Sequence, residues 1–223
     1  MIKDGEFGAI IQRDKQTYAV APHIPCGVVT PEILRKLADA AEKYQAAALK
    51  ITSAQRIALV GLKENDVEKV WTDLDMDKGA ATGLCVRSIK ACPGTAFCKR
   101  GIKDSLGMGM QLDKLYHGME MPGKMKMGVS GCANQCAETC IKDIGLVGFS
   151  KGWKLLVGGN GGALPRLSTE LASELDDHQA LEMVARLVDF YKAKAKPHQR
   201  MGLLIEKLGG IEEFRKAFAE FRP

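Results

Sequence analysis

The segment KMKMGVSGCANQC, residues 124–136, places two lysines in a strand-like alternation ahead of a glycine turn and two cysteines. Lys124 and Lys126 would project from one face of a strand, about 7 Å apart, because a strand rises roughly 3.3 Å per residue and its side chains alternate. Met125 and Met127 would pack on the opposite face. The segment therefore predicts a strand that carries paired cations directly before a turn with paired thiols.

A second pair of cysteines lies upstream, so that Cys92 and Cys98 have five residues between them, and Cys132 and Cys136 have three. Four thiolates in two pairs can hold a [4Fe-4S] cluster, which uses one cysteine per iron. Structural zinc usually takes shorter spacings, which makes it the less favoured metal. A metal-free alternative stays open, because Cys132, Cys136 and Cys140 recur every four residues and would form one buried stripe on a helix.

The remaining cysteines, Cys26, Cys85 and Cys140, lack a partner spacing and are predicted to be structural. Arg87 precedes Cys92 by five residues inside a strand pattern. Alone, this arginine and the two lysines suit a half-exposed strand with its polar face in water. Beside a metal centre, three cations would instead form a pocket for a small anion.

Bulk composition limits the class of protein. The 223 residues are 46% hydrophobic and 26% charged, with 32 Lys and Arg against 27 Asp and Glu, a net charge of +5. Clustered basic residues interleaved with aromatics are missing, so nucleic-acid binding is not expected. No apolar run reaches the roughly 18 residues of a membrane span, and MIKDGEFGAIIQRDK lacks the apolar stretch of a secretory leader. We expect a cytoplasmic protein, in which grouped cysteines indicate metal or catalysis before disulfides.

The chain divides by texture near Gly79. Before it, Thr30 caps a helix opened by Pro31, ALKIT and RIALVG are strand-like, and a second amphipathic helix starts near Asn65. After it, glycine and cysteine become frequent and strand-like pieces alternate with glycine-rich turns. Beyond Ser168 the pattern predicts helices, the last two separated by two glycines. The prediction is an α+β protein with lobes at 1–79 and 80–223.

The combination of CPGTAFC, GCANQC and the upstream MPGKMK resembles the siroheme and iron-sulfur domain of the sulfite and nitrite reductase family. The stretch TPEILRKLADAAEKYQAAALKITSAQRIALVGL is similar to the ferredoxin-like half domain that precedes it in that family. The resemblance implies a ferredoxin-like half domain over 1–79, followed by a mixed α/β domain over 80–223 that binds siroheme and a [4Fe-4S] cluster.

The resemblance also assigns roles to residues. It implies a cluster held by Cys92, Cys98, Cys132 and Cys136, with Cys136 also bridging to the siroheme iron. It places Arg87, Lys124 and Lys126 around the substrate oxyanion. Further candidates for contact with the cofactor are Asn134 and the glycine-rich segment 158–162 with a following arginine, namely Gly159, Asn160, Gly161 and Arg166. From its spacing alone, that segment fits a backbone anion nest or an ordinary hairpin turn equally well.

One position departs from the family pattern. An arginine that usually precedes the glutamine of the first-lobe strand is replaced by Ala54 in TSAQR. Arg56 follows two residues later, which on a strand would keep the same face. Arg56 is therefore carried over as a candidate for the same pocket.

The predicted activity is the six-electron reduction of sulfite to sulfide. Reduction of nitrite to ammonia on the same site, an iron-sulfur electron carrier without siroheme, and a zinc-stabilised module are the alternatives. Neither a flavin motif nor a GxGxxG fingerprint is present, so electrons would come from a separate donor protein such as a ferredoxin. Larger members of the family resemble two fused copies of this unit, so the missing wall of the site would come from a second subunit in a homodimer, or the site would be more open.

Overall fold

The structure is a computed structural model that describes residues 1–221. Its chain divides into two compact units, Met1–Gly83 and the part from Leu84 onward. The boundary predicted after residue 79 lies slightly before this division. Among the helices of residues 1–221, none combines the length and the apolar character needed to cross a membrane.

The first unit is a four-stranded antiparallel sheet with two helices. The strands follow the order β1-β2-β4-β3 across the sheet. They are β1 (Ala9–Ile11), β2 (Tyr18–Val20), β3 (Ala48–Ile51) and β4 (Ile57–Leu62). The helices are α1 (Pro31–Lys43) and α2 (Val67–Leu74). The strands predicted from ALKIT and RIALVG correspond to β3 and β4.

Both helices begin where the sequence indicates. The Thr30 hydroxyl accepts a hydrogen bond from the Ile33 N–H at 3.2 Å, and Pro31 occupies the first helical position, where its missing N–H costs nothing. α2 begins at Val67, after a short 3-10 turn at Glu64–Asp66. All four residues of its predicted apolar stripe are buried, namely Val67, Val70, Trp71 and Leu74. These side chains complete one core with the sheet.

The second unit is built on a five-stranded sheet of order β5-β6-β7-β8-β9. Its strands are β5 (Val86–Ala91), β6 (Met125–Ser130), β7 (Ile144–Phe149), β8 (Gly152–Val157) and β9 (Thr169–Leu175). The first three run parallel, whereas β8 and β9 are antiparallel to their neighbours. The parallel strands bring the carboxyl ends of β5 and β6 to the same edge, and each cysteine pair follows one of these ends.

Within the described residues, the second unit also has five α-helices: α3 (Gly94–Phe97), α4 (Ser105–Tyr116), α5 (Asp177–Lys194), α6 (Met201–Lys207) and α7 (Ile211–Glu220). The Asp176 side chain and Gln179 form a reciprocal capping box at the start of α5. The two adjacent glycines at 209 and 210 separate α6 from α7, as the sequence predicts.

Two expectations for the second unit need correction. Helical structure was expected directly after Ser168, but Thr169–Leu175 is strand β9 and the helix begins at Asp177. β9 lies at the sheet edge and each of its residues is at least partly exposed, so it lacks the buried alternation that indicates a strand. Helix α4 was not anticipated, because glycines within SLGMGMQLDKLY interrupt a helical pattern.

Candidate redox and anion site

The two cysteine pairs leave the sheet at the same edge. Cys92 follows β5 directly, and its N–H donates to the Val129 carbonyl of β6 at 3.1 Å. Ala91 and Val129 are register partners in this parallel pair. Cys132 comes two residues after β6 ends. Ligands commonly bind at the carboxyl ends of parallel strands, which makes this edge the candidate site.

The loops that carry the two pairs are joined at Gly131. The Ile102 and Lys103 N–H groups donate to the Gly131 carbonyl at 2.8 and 3.1 Å. A side chain at Gly131 would place its Cβ 2.7 Å from the Lys103 carbonyl oxygen and 2.8 Å from Gly94 Cα, closer than real contacts allow. The glycine therefore permits the two cysteine loops to approach each other.

Cys92 lies inside this junction. The Gly131 N–H donates to Cys92 Sγ at 3.2 Å, and the Ser105 hydroxyl lies 3.2 Å from the same sulfur while it donates to the Cys92 carbonyl. Hydrogen bonds to a ligand sulfur are one means by which a protein sets the potential of an iron-sulfur cluster. Cys92 and Cys132 are half-buried, whereas Cys98 and Cys136 are exposed.

Four cysteine thiols form the candidate donor set. Cys92, Cys98, Cys132 and Cys136 are free thiols on two adjoining loops. Within residues 1–221, no three His, Cys, Asp or Glu side chains come close enough to share one metal ion. Four thiols that each bind a different iron of a cubane do not have to meet at one point.

The alternative of a buried cysteine stripe on a helix is wrong for these residues. Segment 132–138 forms turns, and Glu138 takes a left-handed backbone with φ of 57° before the short 3-10 turn Thr139–Ile141. Cys136 is exposed. The spacing of four therefore does not reflect a common packed face.

After the cysteines, the chain folds back over the sheet. Segment 137–142 runs from the carboxyl end of β6 toward the start of β7, and the Ala137 N–H donates to Ser130 Oγ at 3.1 Å. Gly128 and Gly145 are register partners beneath this segment. A Cβ on Gly128 would meet Lys142 Cγ at 2.9 Å, and one on Gly145 would meet the Thr139 carbonyl oxygen at 2.7 Å. Because these two residues lack side chains, segment 137–142 can lie directly on the sheet.

The return path brings the segment after Cys136 over the face of β6 that carries Lys126. Lys126, Gly128 and Ser130 alternate along β6 and share one face of the sheet. The same face is covered by segment 137–142, which follows directly after Cys136. The lysine side and the cysteine segment therefore occupy one side of the sheet.

The three cations predicted for an anion pocket lie close enough to influence one another. Burial lowers the pKa of Lys124, and the charges of Arg200 and Arg87 lower it further. Burial and repulsion from Lys124, together with other nearby cations, lower the pKa of Lys126. Gathering like charges in a half-buried place is unfavourable unless an anion joins them.

Four further charged residues belong to this neighbourhood and were missed from the sequence: Glu138, Lys142, Asp143 and Arg200. Glu138 Oε1 and Oε2 each lie 2.9 Å from a lysine, Lys90 of β5 and Lys142 respectively. These two lysines lower the pKa of Glu138 to about 2. The only signal for Glu138 in the sequence is its position two residues after the candidate ligand Cys136.

The glycine-rich segment reaches the same region. Gly159 packs against Ile141 and Lys142, where a Cβ would lie 2.6 Å from the Lys142 carbonyl oxygen. The Asn160 side-chain oxygen accepts a hydrogen bond from Arg200 at 3.2 Å. The backbone groups of Asn160 and Arg166 pair with each other, and the Gly158 N–H donates to the Asp143 carbonyl. The turn thus uses two of the amides that an anion nest would require.

The other candidates are placed separately. Gly161 is exposed and a Cβ there would meet the Ile141 side chain, while Arg166 forms an ion pair with Glu206 of α6. Asn134 is exposed between the cysteines of the second pair. The cofactor contacts predicted for these three residues remain predictions.

Arg56 belongs to the first unit and is buried, beside Gly79. Ala54 and Arg56 lie in the turn between β3 and β4, so the argument that a strand keeps them on one face is wrong. The Thr52 N–H donates to the Arg56 carbonyl at 2.8 Å to close that turn. A role for Arg56 remains a prediction.

Comparison with known families now defines the class of protein. Residues 82–222 match the model of the nitrite and sulphite reductase 4Fe-4S domain, and residues 10–76 match that of the nitrite/sulfite reductase ferredoxin-like half domain. The chain therefore belongs to the nitrite and sulfite reductase family, and the α+β architecture predicted from the sequence is confirmed.

Among curated relatives, an assimilatory-type sulfite reductase of Nitratidesulfovibrio vulgaris is 44% identical over 97% of this chain and 99% of its own length. A nitrite reductase [NAD(P)H] of Bacillus subtilis is 41% identical over 90% of this chain, but the match covers 25% of that enzyme. The fold is shared with a dissimilatory sulfite reductase I, at a TM-score of 0.81 over 93% of this chain and 70% of the other, with 14% identity. It is also shared with the NirA protein of Mycobacterium tuberculosis, at 0.78 over 97% of this chain and 42% of the other.

Proposed function

We propose that this protein is a sulfite reductase that carries siroheme and one [4Fe-4S] cluster and reduces sulfite to sulfide with electrons from a separate donor protein. The observation that carries the proposal is that segment 137–142, which follows Cys136, covers the face of β6 on which Lys126 lies. The near full-length likeness to an assimilatory-type sulfite reductase supports the choice of substrate.

In this proposal Cys92, Cys98, Cys132 and Cys136 would hold the cluster, and Cys136 would also help to hold the siroheme. When bound, the cluster and the siroheme supply the electrons and an iron atom that takes the substrate. Half-burial of Cys92 and its hydrogen bond from Gly131 restrict water around its sulfur. The exposed Cys98 and Cys136 leave the opposite side of the donor set open to ligands.

The cations bind and orient the substrate. Arg87, Lys124 and Lys126 would pair with the oxygens of the anion, and this pairing compensates the repulsion among them. A lysine Nζ whose pKa is lowered by burial also gives up its proton more readily, so Lys124 and Lys126 would donate protons to departing oxygens. Charge and protons are thus supplied at the place where S–O bonds break.

Contacts for the siroheme carboxylates are proposed at the glycine-rich turn. Asn160 reaches the cation neighbourhood through Arg200, and Gly159 packs directly on Lys142. Asn134, Gly161 and Arg166 are the remaining candidates. Each offers an amide, a guanidinium or close backbone approach to an acidic cofactor edge.

Nitrite reduction to ammonia is the second candidate. It is favoured by the 41% identity to the Bacillus subtilis nitrite reductase and by a cation set that suits either small anion. Sulfite is preferred here because the sulfite reductase relative matches over its whole length, whereas this chain spans a quarter of the nitrite enzyme.

The test is anaerobic turnover of the cofactor-loaded protein with reduced methyl viologen, with sulfide or ammonia measured as the product. We expect sulfite to give the higher kcat/KM, and Lys126→Met to lower it by roughly a hundredfold, the scale of a lost proton donor. Lys151→Met is the control, because Lys151 is an exposed surface lysine.

Faster turnover with nitrite would replace sulfite by nitrite as the substrate. No turnover of either anion, with the cluster and siroheme both present, would contradict the reductase and favour an electron carrier. Equal activity of Lys126→Met and the native protein would remove the lysine from the mechanism.

A further inference from the structure

Asp143 is a carboxylate buried inside the second unit, directly before β7. Asp143 is 1% exposed. Oδ1 accepts a hydrogen bond from Arg200 Nε at 2.8 Å, and Oδ2 accepts from Arg200 Nη2 at 2.7 Å and from the Lys126 N–H at 2.8 Å. Burial raises the pKa of Asp143, and its contacts with Arg200 and Lys126 oppose that rise. A buried charge of this kind is tolerated only because it is paired and hydrogen-bonded.

Arg200 is held in a defined orientation by three contacts. Two of them form the parallel fork with Asp143, and in the third Nη1 donates to Asn160 Oδ1 at 3.2 Å. A guanidinium has five N–H donors, so one donor on each terminal nitrogen remains without a partner among residues 1–221. The side chain is 17% exposed.

Arg200 lies close to Lys124 and Lys126. Its charge acts on both Lys124 and Lys126, where it lowers their pKa values. Asp143, which pairs with Arg200, also accepts a hydrogen bond from the backbone N–H of Lys126. Asn160, which accepts a hydrogen bond from Arg200, belongs to the glycine-rich turn. One ion pair therefore connects the β6 lysine, the turn at 158–162 and the residue that precedes α6.

We propose that Arg200 is a further anion-binding cation of this site and that Asp143 is the positioning residue that fixes Arg200 and Lys126 relative to Asn160. The inference rests on the proposed function, which it extends by one binding residue and one positioning residue. The ligand is an anionic oxygen, which comes from the substrate or from a carboxylate of the cofactor. Arg rather than Lys suits this place, because a planar fork can engage a carboxylate on one side and an oxyanion on the other.

The test uses a charge-neutral pair, Asp143→Asn combined with Arg200→Gln. Replacing Arg200 alone would leave a buried carboxylate without its partner, which is strongly destabilising, whereas the double variant removes both charges. The control is Lys154→Gln with Glu170→Gln, which neutralises a partly exposed ion pair of the same unit. Thermal melting verifies that both double variants fold.

Two measurements separate the two sources of the anionic oxygen. The first is the rise in melting temperature that sulfite or nitrite gives to the cofactor-free protein, which reports anion affinity without turnover. The second is siroheme content per chain after loading, together with KM for each anion. Loss of a charge-assisted hydrogen bond should weaken the affected ligand by roughly tenfold to a hundredfold.

Weaker anion protection and a higher KM in the folded double variant support a substrate contact. Lower siroheme content at unchanged anion affinity supports a cofactor contact. A folded double variant that matches the control in all of these measurements overturns the inference. If the double variant does not fold, Arg200→Lys decides: reduced anion affinity or siroheme content supports the inference, and native values overturn it.

Failure of this inference is distinguishable from failure of the proposed function. If the native protein turns over sulfite and the double variant does so equally well, the function stands and Arg200 is structural. If the native protein does not turn over either anion, the function fails, while the melting measurement on cofactor-free protein still decides the anion site at Arg200.

Discussion

At the scale of single residues, exposure distinguishes two of the four candidate cysteine ligands. Cys92, Cys98, Cys132 and Cys136 sit on two adjoining loops, with Cys98 and Cys136 exposed. Cys140 lies in the same return segment, half-buried within the short 3-10 turn before β7. Exposed thiols gain little from packing, so their presence here points to a ligand role rather than to the core.

Replacing Cys98 by alanine should abolish cluster binding, because each cysteine is the protein ligand of one iron. Cys140→Ala is the matched control and should retain the cluster. Iron and acid-labile sulfide per chain measure the outcome after anaerobic reconstitution. Equal retention by both variants would remove Cys98 from the ligand set.

The lowered pKa values of Lys124 and Lys126 predict a pH dependence of anion affinity. A lysine whose pKa is depressed loses its proton at lower pH than usual, and the anion binds the protonated form. Affinity for nitrite should therefore fall as pH rises, starting below the ordinary lysine value of 10.5. Nitrite is the suitable probe because it keeps a single negative charge throughout this range.

Lys126→Met should make that decline shallower as well as lower the affinity, whereas Lys151→Met should preserve the native curve. A binding titration at several pH values measures both. A nitrite affinity that is flat up to the ordinary lysine pKa would contradict the clustering of these cations.

At the scale of secondary-structure elements, the site depends on how closely segment 137–142 approaches the sheet. Gly128 and Gly145 are cross-strand partners, and each leaves space that a backbone or side-chain atom of the segment occupies. The approach puts Lys142 and Glu138 above β6, where Glu138 pairs with Lys90 of β5. The path of the cysteine segment is thus fixed by the absence of two side chains.

Gly145→Ala should push this segment away from the sheet, because the new Cβ would lie 2.7 Å from the Thr139 carbonyl oxygen. We expect a loss of roughly 1–3 kcal/mol in the free energy of unfolding and lower cluster content. Lys151→Ala is the control, because Lys151 is an exposed surface lysine of the same unit. Chemical unfolding measures the change in stability, and a sulfide assay measures the cluster content. Native values of both for Gly145→Ala would contradict the close approach of segment 137–142 to the sheet.

Elements with a buried face were predictable from the sequence, and those without one were not. The stripe of α2 is buried as the pattern indicates, because its apolar spacing reflects one-sided packing. Strand β9 was expected as helix, since an exposed edge strand imposes no alternation on its residues. Helix α4 was overlooked because tertiary packing of Met108 and Leu112 outweighs its glycines.

At the scale of the whole molecule, the sequence motifs located the site while the fold supplied its partners. Two cysteine pairs separated by a helix and a strand can be recognised from spacing alone. Asp143 and Arg200 cannot, because they lie 57 positions apart and only the folded chain joins them. Long-range ion pairs of this kind leave no local pattern in a sequence.

In the proposed function, one sheet face would hold an iron-sulfur and siroheme centre beside a cation site for a small anion. The most direct measurement is the absorption spectrum of the anaerobically purified, siroheme-supplied protein, recorded after reduction as sulfite is added. We predict a Soret band and a red chlorin-type band that both shift with sulfite, in addition to iron-sulfur absorption. A broad iron-sulfur shoulder alone, with no band that responds to sulfite or nitrite, would contradict the claim and identify an electron carrier.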